Sequence, residues 1–116
     1  MKVYISADIE GVTGVTNWDE TELYHDAHAA AAAQMTREVA AACRGALAAG
    51  ADAIIVKDAH DSARNIIAEE LPEEVTLIRG WTNSPESMVA GIDETFDAVI
   101  YIGYHSGANY NGNPLS

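Results

Sequence analysis

The sequence predicts an α/β fold with three layers: a parallel sheet of about four strands with helices on both faces. Two observations lead to this prediction. Short apolar runs alternate with helical segments in the order β-α-β-α-β-α-β, and strands joined in this way lie parallel with right-handed crossovers. The length of 116 residues, with 48% hydrophobic residues, fits one compact domain. We therefore expect residues 1–116 to form a single α/β domain.

The first half of the chain contains a βαβ unit. Its strands are predicted at about 2–7, ending before Asp8, and at about 53–57. Between them, apolar residues spaced three and four apart predict a long helix at about 26–49, and Gly50 is its expected C-terminal glycine. The inner face of this helix is predicted to consist of Met35, Val39, Ala42, Cys43, Ala46 and Leu47.

The second half supplies two more strands, at about 75–78 and about 97–102, each preceded by a short helix. The first short helix is predicted at about 63–70. The second is predicted to begin with Ser84 as its N-cap and Pro85 in its first helical position. These elements complete the alternation of strands and helices.

Charge and composition narrow the possible partners and location. A net charge of −12, from 18 acidic and 6 basic residues, argues against a nucleic-acid or anionic-membrane surface. No apolar run approaches the roughly 18 residues of a membrane-spanning helix, and the N-terminus lacks a basic-then-apolar leader. The single cysteine, Cys43, allows no intrachain disulfide and is expected to be buried. We therefore expect a cytoplasmic protein that binds neither nucleic acid nor membranes.

The last segment of the chain, residues 103–116, is predicted to be a loop because Gly, Asn and Pro dominate it. No closing helix follows the fourth strand in this sequence, and no internal repeat or interdomain linker is visible. We therefore expect the chain to be the N-terminal part of a longer protein.

Four potential metal ligands, Asp8, Glu10, His60 and His105, follow directly on three of the predicted strands. In an open parallel sheet, ligands bind in the crevice at the carboxyl ends of the strands, so these side chains are expected to meet there. Oxygen and nitrogen ligands without cysteine favour catalytic over structural zinc. A carboxylate such as Asp8 could bridge two ions about 3.5–4 Å apart, which would polarise a scissile carbonyl and activate a water molecule.

Each of these residues also has a simpler interpretation. Asp8 and Glu10 could cap a turn and face solvent instead of holding a cation together. His60 and His105 could be ordinary loop histidines, and Asp58 is a candidate to orient the imidazole of His60. The metal-site hypothesis is favoured because all three groups follow strands that would end at one edge of the sheet.

Other residues point less clearly to a site. His25 and His28, near the start of the long helix, are expected to serve the helix start and not to bind metal. Trp18, Tyr24 and Trp81 could line a pocket, although packing is the commoner role of aromatic side chains. The sequence contains no P-loop, no dinucleotide-binding glycine fingerprint and no G-x-S-x-G elbow.

Four ordered segments resemble the zinc-dependent D-aminopeptidases of the DppA type, which are linked to dipeptide-transport operons. The segments are KVYISADIEG at 2–11, DAHDS at 58–62, SMVAGIDETFD at 87–97 and GYH at 103–105. They are spread over almost the whole chain, and their combination and order make the resemblance specific.

The resemblance implies a dinuclear zinc site and a peptidase activity. Asp8 would be the bridging ligand. Glu10 and His60 would complete one zinc ion, and His105 would serve the other. The resemblance further implies hydrolysis of short peptides with an N-terminal D-amino acid, and a homo-oligomer, a ring-like decamer, that encloses its active sites.

The family pattern extends past this sequence. Its remaining zinc ligand, a glutamate, and a catalytic histidine are both expected beyond Ser116, the histidine just after the motif Leu115-Ser116. No catalytic residue is therefore expected within residues 1–116. For this chain alone, we predict weak binding of the second zinc ion and little catalysis.

Two alternative functions are kept. Residues 8–13 resemble the strand-one D-x-D motif of haloacid-dehalogenase-type phosphohydrolases, in which Asp8 would be a magnesium-dependent nucleophile. However, Glu10 replaces the usual second aspartate, and His60 and His105 would have no role. The other alternative is a non-catalytic metal-binding or assembly module whose alanine-rich helix packs against sister subunits.

Overall fold

Four parallel strands form the centre of the computed structural model, which describes residues 1–107. The fold class and all four strands are confirmed. Three short 3-10 turns lie in the connections, at Trp18–Thr21, Ala68–Glu70 and Ser87–Val89. The main elements, in chain order, are β1 (Lys2–Ala7), α1 (His28–Ala48), β2 (Ala53–Asp58), β3 (Val75–Ile78) and β4 (Ala98–Ile102).

The sheet has the strand order β3-β2-β1-β4. The chain proceeds outward from β1 to β2 and β3, and then returns to place β4 on the other side of β1. The order therefore reverses between β1 and β4, the kind of position where open α/β sheets bind ligands. Ala7 pairs with Asp58 of β2 and with Ile102 of β4, so the carboxyl ends of the three strands are level.

One face of the sheet packs against α1. Alternate β1 residues such as Val3 and Ile5 share an apolar cluster with the helix residues that the sequence predicted. In that predicted set, Met35, Val39 and Cys43 are fully buried, and Ala42, Ala46 and Leu47 pack against the cluster.

The end of α1 is set by Gly50, as predicted. Gly50 has a φ of +94° and donates its N–H to the Leu47 carbonyl, while the N–H of Ala51 bonds to the Ala46 carbonyl. This pair of bonds is the Schellman motif, in which a glycine with positive φ closes the last turn. Within residues 1–107, no helix is long and apolar enough to cross a membrane.

The opposite face of the sheet is covered by the chain between β3 and β4. The Tyr4 hydroxyl donates to the Ala90 carbonyl at 2.6 Å, and the Ser6 hydroxyl donates to the Met88 carbonyl at 2.7 Å. The rings of Tyr4 and Phe96 meet edge to face, with their centroids 5.2 Å apart. Short turns and irregular chain therefore form this third layer.

Both short helices of the prediction were wrong in type. The segment predicted as a helix from Ser84 holds only the turn Ser87–Val89, whose N-cap is Glu86. Ser87 has a φ of +50°, which an α-helix does not tolerate. The predicted helix at 63–70 is reduced to Ala68–Glu70, because Ala63 also has a positive φ and side-chain oxygens bind the backbone N–H groups that follow it.

The predicted loop at 103–116 can be compared with the structure only in part. Residues 103–107 contain neither helix nor strand, in agreement with the prediction. The motif Leu115-Ser116 lies outside the described residues.

Candidate metal centre

The structure brings Asp8, Glu10, His60 and His105 together at the carboxyl ends of β1, β2 and β4. His60 Nδ1 lies 3.1 Å from both Asp8 Oδ1 and Glu10 Oε2. His105 Nε2 lies 3.5 Å from Asp8 Oδ2. Ligand atoms of Asp8, Glu10 and His105 all lie within 4.8 Å of one another, close enough to contact one metal ion.

The strand ends set these positions through backbone hydrogen bonds. The N–H of Asp8 donates to the Ile102 carbonyl at 2.8 Å, which extends the β1–β4 ladder by one residue. On the other side, the N–H of Ala59 donates to the Ala7 carbonyl at 2.8 Å. The start of the loop that follows β1 is therefore held between the loops that follow β2 and β4.

Two glycines allow the loop after β1 to touch the loop after β4. Gly11 donates its N–H to the Gly103 carbonyl at 2.8 Å, and a Cβ at Gly11 would overlap the Tyr104 carbonyl oxygen. Gly103 has a φ of +64°, and a Cβ there would overlap the Asp8 carbonyl oxygen. The close approach of these two loops therefore depends on both glycines.

The two carboxylates are buried, and this burial makes their charges costly. Asp8 is 0% exposed and Glu10 is 6% exposed. Within residues 1–107, neither Asp8 Oδ2 nor Glu10 Oε2 accepts a hydrogen bond, although the His60 ring nitrogen lies near the latter. Two carboxylates in a buried site repel each other unless a cation lies between them. The orphaned oxygens are therefore what a metal ion would satisfy.

The pKa values follow from this crowding. Burial raises the pKa of Asp8, and the neighbouring Glu10 carboxylate adds to that effect. Burial also acts to raise the pKa of Glu10, but its contacts with the His60 imidazole and the Asp8 carboxyl group outweigh that effect and hold the pKa at about 2. Burial lowers the pKa of His60, whereas the two carboxylates raise it more strongly, to about 10. Without a metal ion, protonated His60 supplies the positive charge.

Each histidine turns one nitrogen toward Asp8 and the other toward a backbone carbonyl. His60 Nε2 lies 3.0 Å from the Thr21 carbonyl, and His105 Nδ1 lies 2.7 Å from the Ser106 carbonyl. A carbonyl only accepts hydrogen bonds, so these nitrogens carry the N–H groups. The nitrogens that face Asp8 are therefore the ones that can bind a metal ion, which is the usual arrangement of metal-binding histidines.

The expectation that Asp58 orients His60 was wrong. The Asp58 carboxylate instead accepts hydrogen bonds from the backbone N–H groups of Asn65 and Ile66, at 2.6 and 2.7 Å, and from Asn65 Nδ2 at 2.9 Å. Asp58 is level with Ala7 in the β1–β2 register, so its side chain lies on the α1 side of the sheet. Asp58 therefore shapes the loop that carries His60 and does not contact the imidazole.

Sequence reasoning missed three residues that support the site. The Thr21 carbonyl binds His60, and the only local signal was the N-x-x-E capping box of Asn17 and Glu20 that forms its turn. Asn65 donates its Nδ2 to the His60 carbonyl at 2.8 Å. Tyr104 hydrogen-bonds with the Ser6 hydroxyl and stacks on the His105 ring.

The remaining residues singled out in the sequence have other contacts. His28 is buried, with its Nε2 2.8 Å from Asn65 Oδ1, and His25 is exposed and accepts from a neighbouring N–H. Trp18 and Tyr24 line a cavity of about 450 Å³ beside His60, as the pocket hypothesis proposed. Trp81 instead donates its Nε1 to the Asp61 carbonyl.

Comparisons with known proteins show which family the chain is similar to. The family model of peptidase family M55, described as D-aminopeptidase, matches residues 1–116. The D-aminopeptidase of Bacillus subtilis (strain 168) is 32% identical over 112 residues, which cover 97% of this chain and 40% of that protein. The solved structure of the Zn-dependent D-aminopeptidase DppA from Bacillus subtilis, a self-compartmentalizing protease, matches with a TM-score of 0.91 at 32% identity, over 97% of this chain and 40% of that one.

The chain thus spans 40% of the length of the relatives it matches. The family match extends over its whole length, and the resemblance stated from the four sequence segments is confirmed. The chain belongs to the D-aminopeptidase family of peptidases, M55.

Proposed function

We propose that the protein containing this chain is a zinc-dependent aminopeptidase that hydrolyses short peptides with an N-terminal D-amino acid. The observation that carries the proposal is the Asp8 carboxylate, whose two oxygens face two different histidines. Oδ1 lies 3.1 Å from His60 Nδ1, and Oδ2 lies 3.5 Å from His105 Nε2. A carboxylate with one histidine at each oxygen is well placed to bridge two metal ions.

The roles of the chain's own residues follow from their positions. Asp8 would bridge two zinc ions, Glu10 and His60 would complete the ligands of one, and His105 would bind the other. When bound, zinc supplies Lewis-acid polarisation of the peptide carbonyl and lowers the pKa of a coordinated water. The Thr21 and Ser106 carbonyls hold the two imidazole rings in place. The other nitrogen of each ring then faces Asp8 and can offer its lone pair to a metal ion.

Several parts of the proposal concern the whole protein and not residues 1–107 alone. We place the remaining zinc ligand and the catalytic acid/base histidine after Ser116, in a longer protein. A ring-like homodecamer that encloses the active sites, and a cytoplasmic location, belong to the same proposal. The related Bacillus subtilis structure, described as a self-compartmentalizing protease, supports the oligomer.

The magnesium phosphohydrolase alternative receives no support from the site. His60 and His105, which that function leaves without a role, are the residues that contact Asp8. In that mechanism, Asp8 would also have to act as a nucleophile although each of its two oxygens faces an imidazole nitrogen. Membership of the D-aminopeptidase family points in the same direction.

The decisive experiment measures zinc per subunit of the full-length protein by elemental analysis after metal loading and dialysis. Dipeptides that begin with a D- or an L-residue, each with a free or acetylated amino terminus, are then tested for hydrolysis. The proposal expects two zinc ions and cleavage only of unblocked peptides that begin with a D-residue. His60→Ala should lose zinc and activity, whereas Glu94→Gln, at an exposed position away from the site, should keep both.

The alternative outcomes separate the competing functions. Zinc uptake without hydrolysis of any peptide would favour the non-catalytic metal-binding or assembly module. Hydrolysis of L- and D-peptides alike would remove the stereospecificity from the proposal and leave the peptidase. A protein that binds no zinc would overturn the proposal.

A further inference from the structure

Lys57 is a fully buried lysine next to the loop that carries His60. It lies on β2, one residue before the end of that strand, and its exposed fraction is 0%. Within residues 1–107, it forms no ion pair with any carboxylate, and its burial lowers the pKa of its ammonium group. A buried charge is costly unless it is well partnered, so the contacts of this ammonium group bear on its role.

The Lys57 ammonium group connects two loops at the same end of the sheet. Its Nζ donates to the Asp58 carbonyl at 2.6 Å and to the Gly80 carbonyl at 2.9 Å, and it lies 4.4 Å from the centroid of the Trp81 ring. Asp58 immediately precedes the His60 loop, which we define as residues 59–63. Gly80 and Trp81 follow β3, so the ammonium group holds the loop after β3 against the start of the His60 loop.

The same two loops are joined at two further points. Trp81 Nε1 donates to the Asp61 carbonyl, and the N–H of Gly80 donates to the Ala63 carbonyl at 2.8 Å. Asp61 and Ala63 have φ values of 44° and 54°, which residues other than glycine rarely adopt. A conformation of this kind persists only where surrounding contacts hold it. The His60 loop is therefore held in shape by its contacts with the loop after β3.

We propose that Lys57 is a positioning residue of the metal centre, which acts by fixing the loop that presents His60 Nδ1 to Asp8 and Glu10. This inference rests on the proposed function, because the presented nitrogen matters only if it binds the metal. Lys57 itself does not contact the carboxylates. An ammonium group suits this role because its three donors can bind two carbonyl oxygens while its charge lies over an aromatic ring. An apolar side chain of the same length would leave the carbonyls of Asp58 and Gly80 without this donor.

The chain contains a matched control at the opposite end of the sheet. Lys2 Nζ donates to Thr95 Oγ1 at 2.7 Å and lies 4.2 Å from the centroid of the Phe96 ring. Like Lys57, it combines a hydrogen bond with a lysine–aromatic contact, but it is only half-buried and lies at the amino end of β1, far from the strand ends that carry the site. Lys2→Met therefore removes a lysine–aromatic contact and a hydrogen bond without touching the His60 loop.

The test compares Lys57→Met with Lys2→Met in the full-length protein. Zinc affinity is measured by competition with a chelator, the visible spectrum is recorded after loading with Co²⁺, and thermal unfolding is followed for each metal-free variant. We expect Lys57→Met to lose at least about tenfold in zinc affinity and to show an altered Co²⁺ spectrum. Lys2→Met should keep the wild-type affinity and spectrum, even where its unfolding temperature falls.

Three outcomes would overturn or replace this inference. Wild-type zinc affinity and an unchanged Co²⁺ spectrum in Lys57→Met would show that Lys57 serves stability alone. If Lys57→Met does not fold, Trp81→Ala removes both the ring beneath the Lys57 ammonium group and the Nε1 donor to Asp61, and an unchanged zinc affinity there overturns the inference. A wild-type protein that binds no zinc would overturn the proposed function and this inference together, whereas the first two outcomes leave the proposed function intact.

Discussion

Asp8 and His60 meet across the β1–β2 pair, with His60 Nδ1 3.1 Å from Asp8 Oδ1. The parallel register of these strands brings them together, because Ala7 is level with Asp58 and the Ala59 N–H bonds to the Ala7 carbonyl. The contact places a cationic imidazole against a buried carboxylate that has a second carboxylate beside it. A metal ion at this point would replace the imidazolium proton as the source of positive charge.

The first prediction concerns the charge of Asp8. Asp8→Asn keeps the shape of the side chain but removes the negative charge that faces both histidines, so zinc affinity should fall by at least about 100-fold. The metal-free protein should not lose stability, because the change removes one of two crowded buried carboxylates. Chelator competition and thermal unfolding measure the two effects. Glu94→Gln, at an exposed position, is the control and should change neither.

The second prediction concerns the proton that His60 releases when zinc binds. The raised pKa of His60, about 10, means that this imidazole is protonated at pH 7 in the metal-free protein and must lose its proton to bind zinc. Zinc binding should therefore release protons, and zinc affinity should rise with pH toward 10. Titration calorimetry in two buffers of different ionisation enthalpy measures the release. Identical heats in both buffers, or an unchanged release in His60→Gln, would contradict this assignment.

The same pKa sets the pH dependence of stability without metal. A histidine whose pKa is raised from 6.5 to about 10 in the folded state stabilises that state. The stabilisation is fully present below pH 6.5 and is lost as the pH rises through about 10. Metal-free wild-type protein should therefore lose more stability between pH 7 and pH 10 than His60→Gln does. Chemical denaturation at several pH values gives the comparison.

The third prediction concerns Gly103. A methyl group at this position would overlap the Asp8 carbonyl and Val12 Cγ2, and the φ of +64° is unfavourable for alanine. Gly103→Ala should lower the free energy of unfolding by about 1–3 kcal/mol and weaken zinc binding, because the loops of Asp8 and His105 are forced apart. Gly107→Ala, where a Cβ meets no atom of residues 1–107 within 4 Å, is the control and should be close to neutral. Equal effects of the two changes would show that the close contact is unimportant.

The fourth prediction concerns Asn65, which lies in the loop after β2 and is buried against His28 of α1. Its side chain bonds to the Asp58 carboxylate, the His60 carbonyl and His28 Nε2, at 2.9, 2.8 and 2.8 Å. Asn65→Ala leaves these groups without their partner and should cost about 2–3 kcal/mol in the free energy of unfolding. Denaturant unfolding measures this loss. A change below about 0.5 kcal/mol would show that this network contributes little to stability.

Local patterns were sufficient for the strands, for α1 and for the order of the four candidate ligands. The spacing of Met35, Val39 and Cys43 marks one helix face, and Gly50 marks the helix end, because both signals depend on residues close together in the chain. The prediction of the two short helices was wrong because their conformation depends on residues that are distant in the chain. Ala63 and Ser87 have positive φ values in loops whose hydrogen bonds come from distant residues, such as the Gly80 N–H that bonds to Ala63.

The sequence by itself determined the α/β class, the family, and the fact that Asp8, His60 and His105 each follow a strand. These properties follow from local periodicity and from short motifs. Only the tertiary structure decided that β4 lies beside β1, that the Thr21 carbonyl orients His60, and that Lys57 joins two loops below the site. A backbone carbonyl has no residue-specific signature, and a buried ammonium group shows its role only when its partners, 23 residues away in the case of Gly80, are brought to it by the fold.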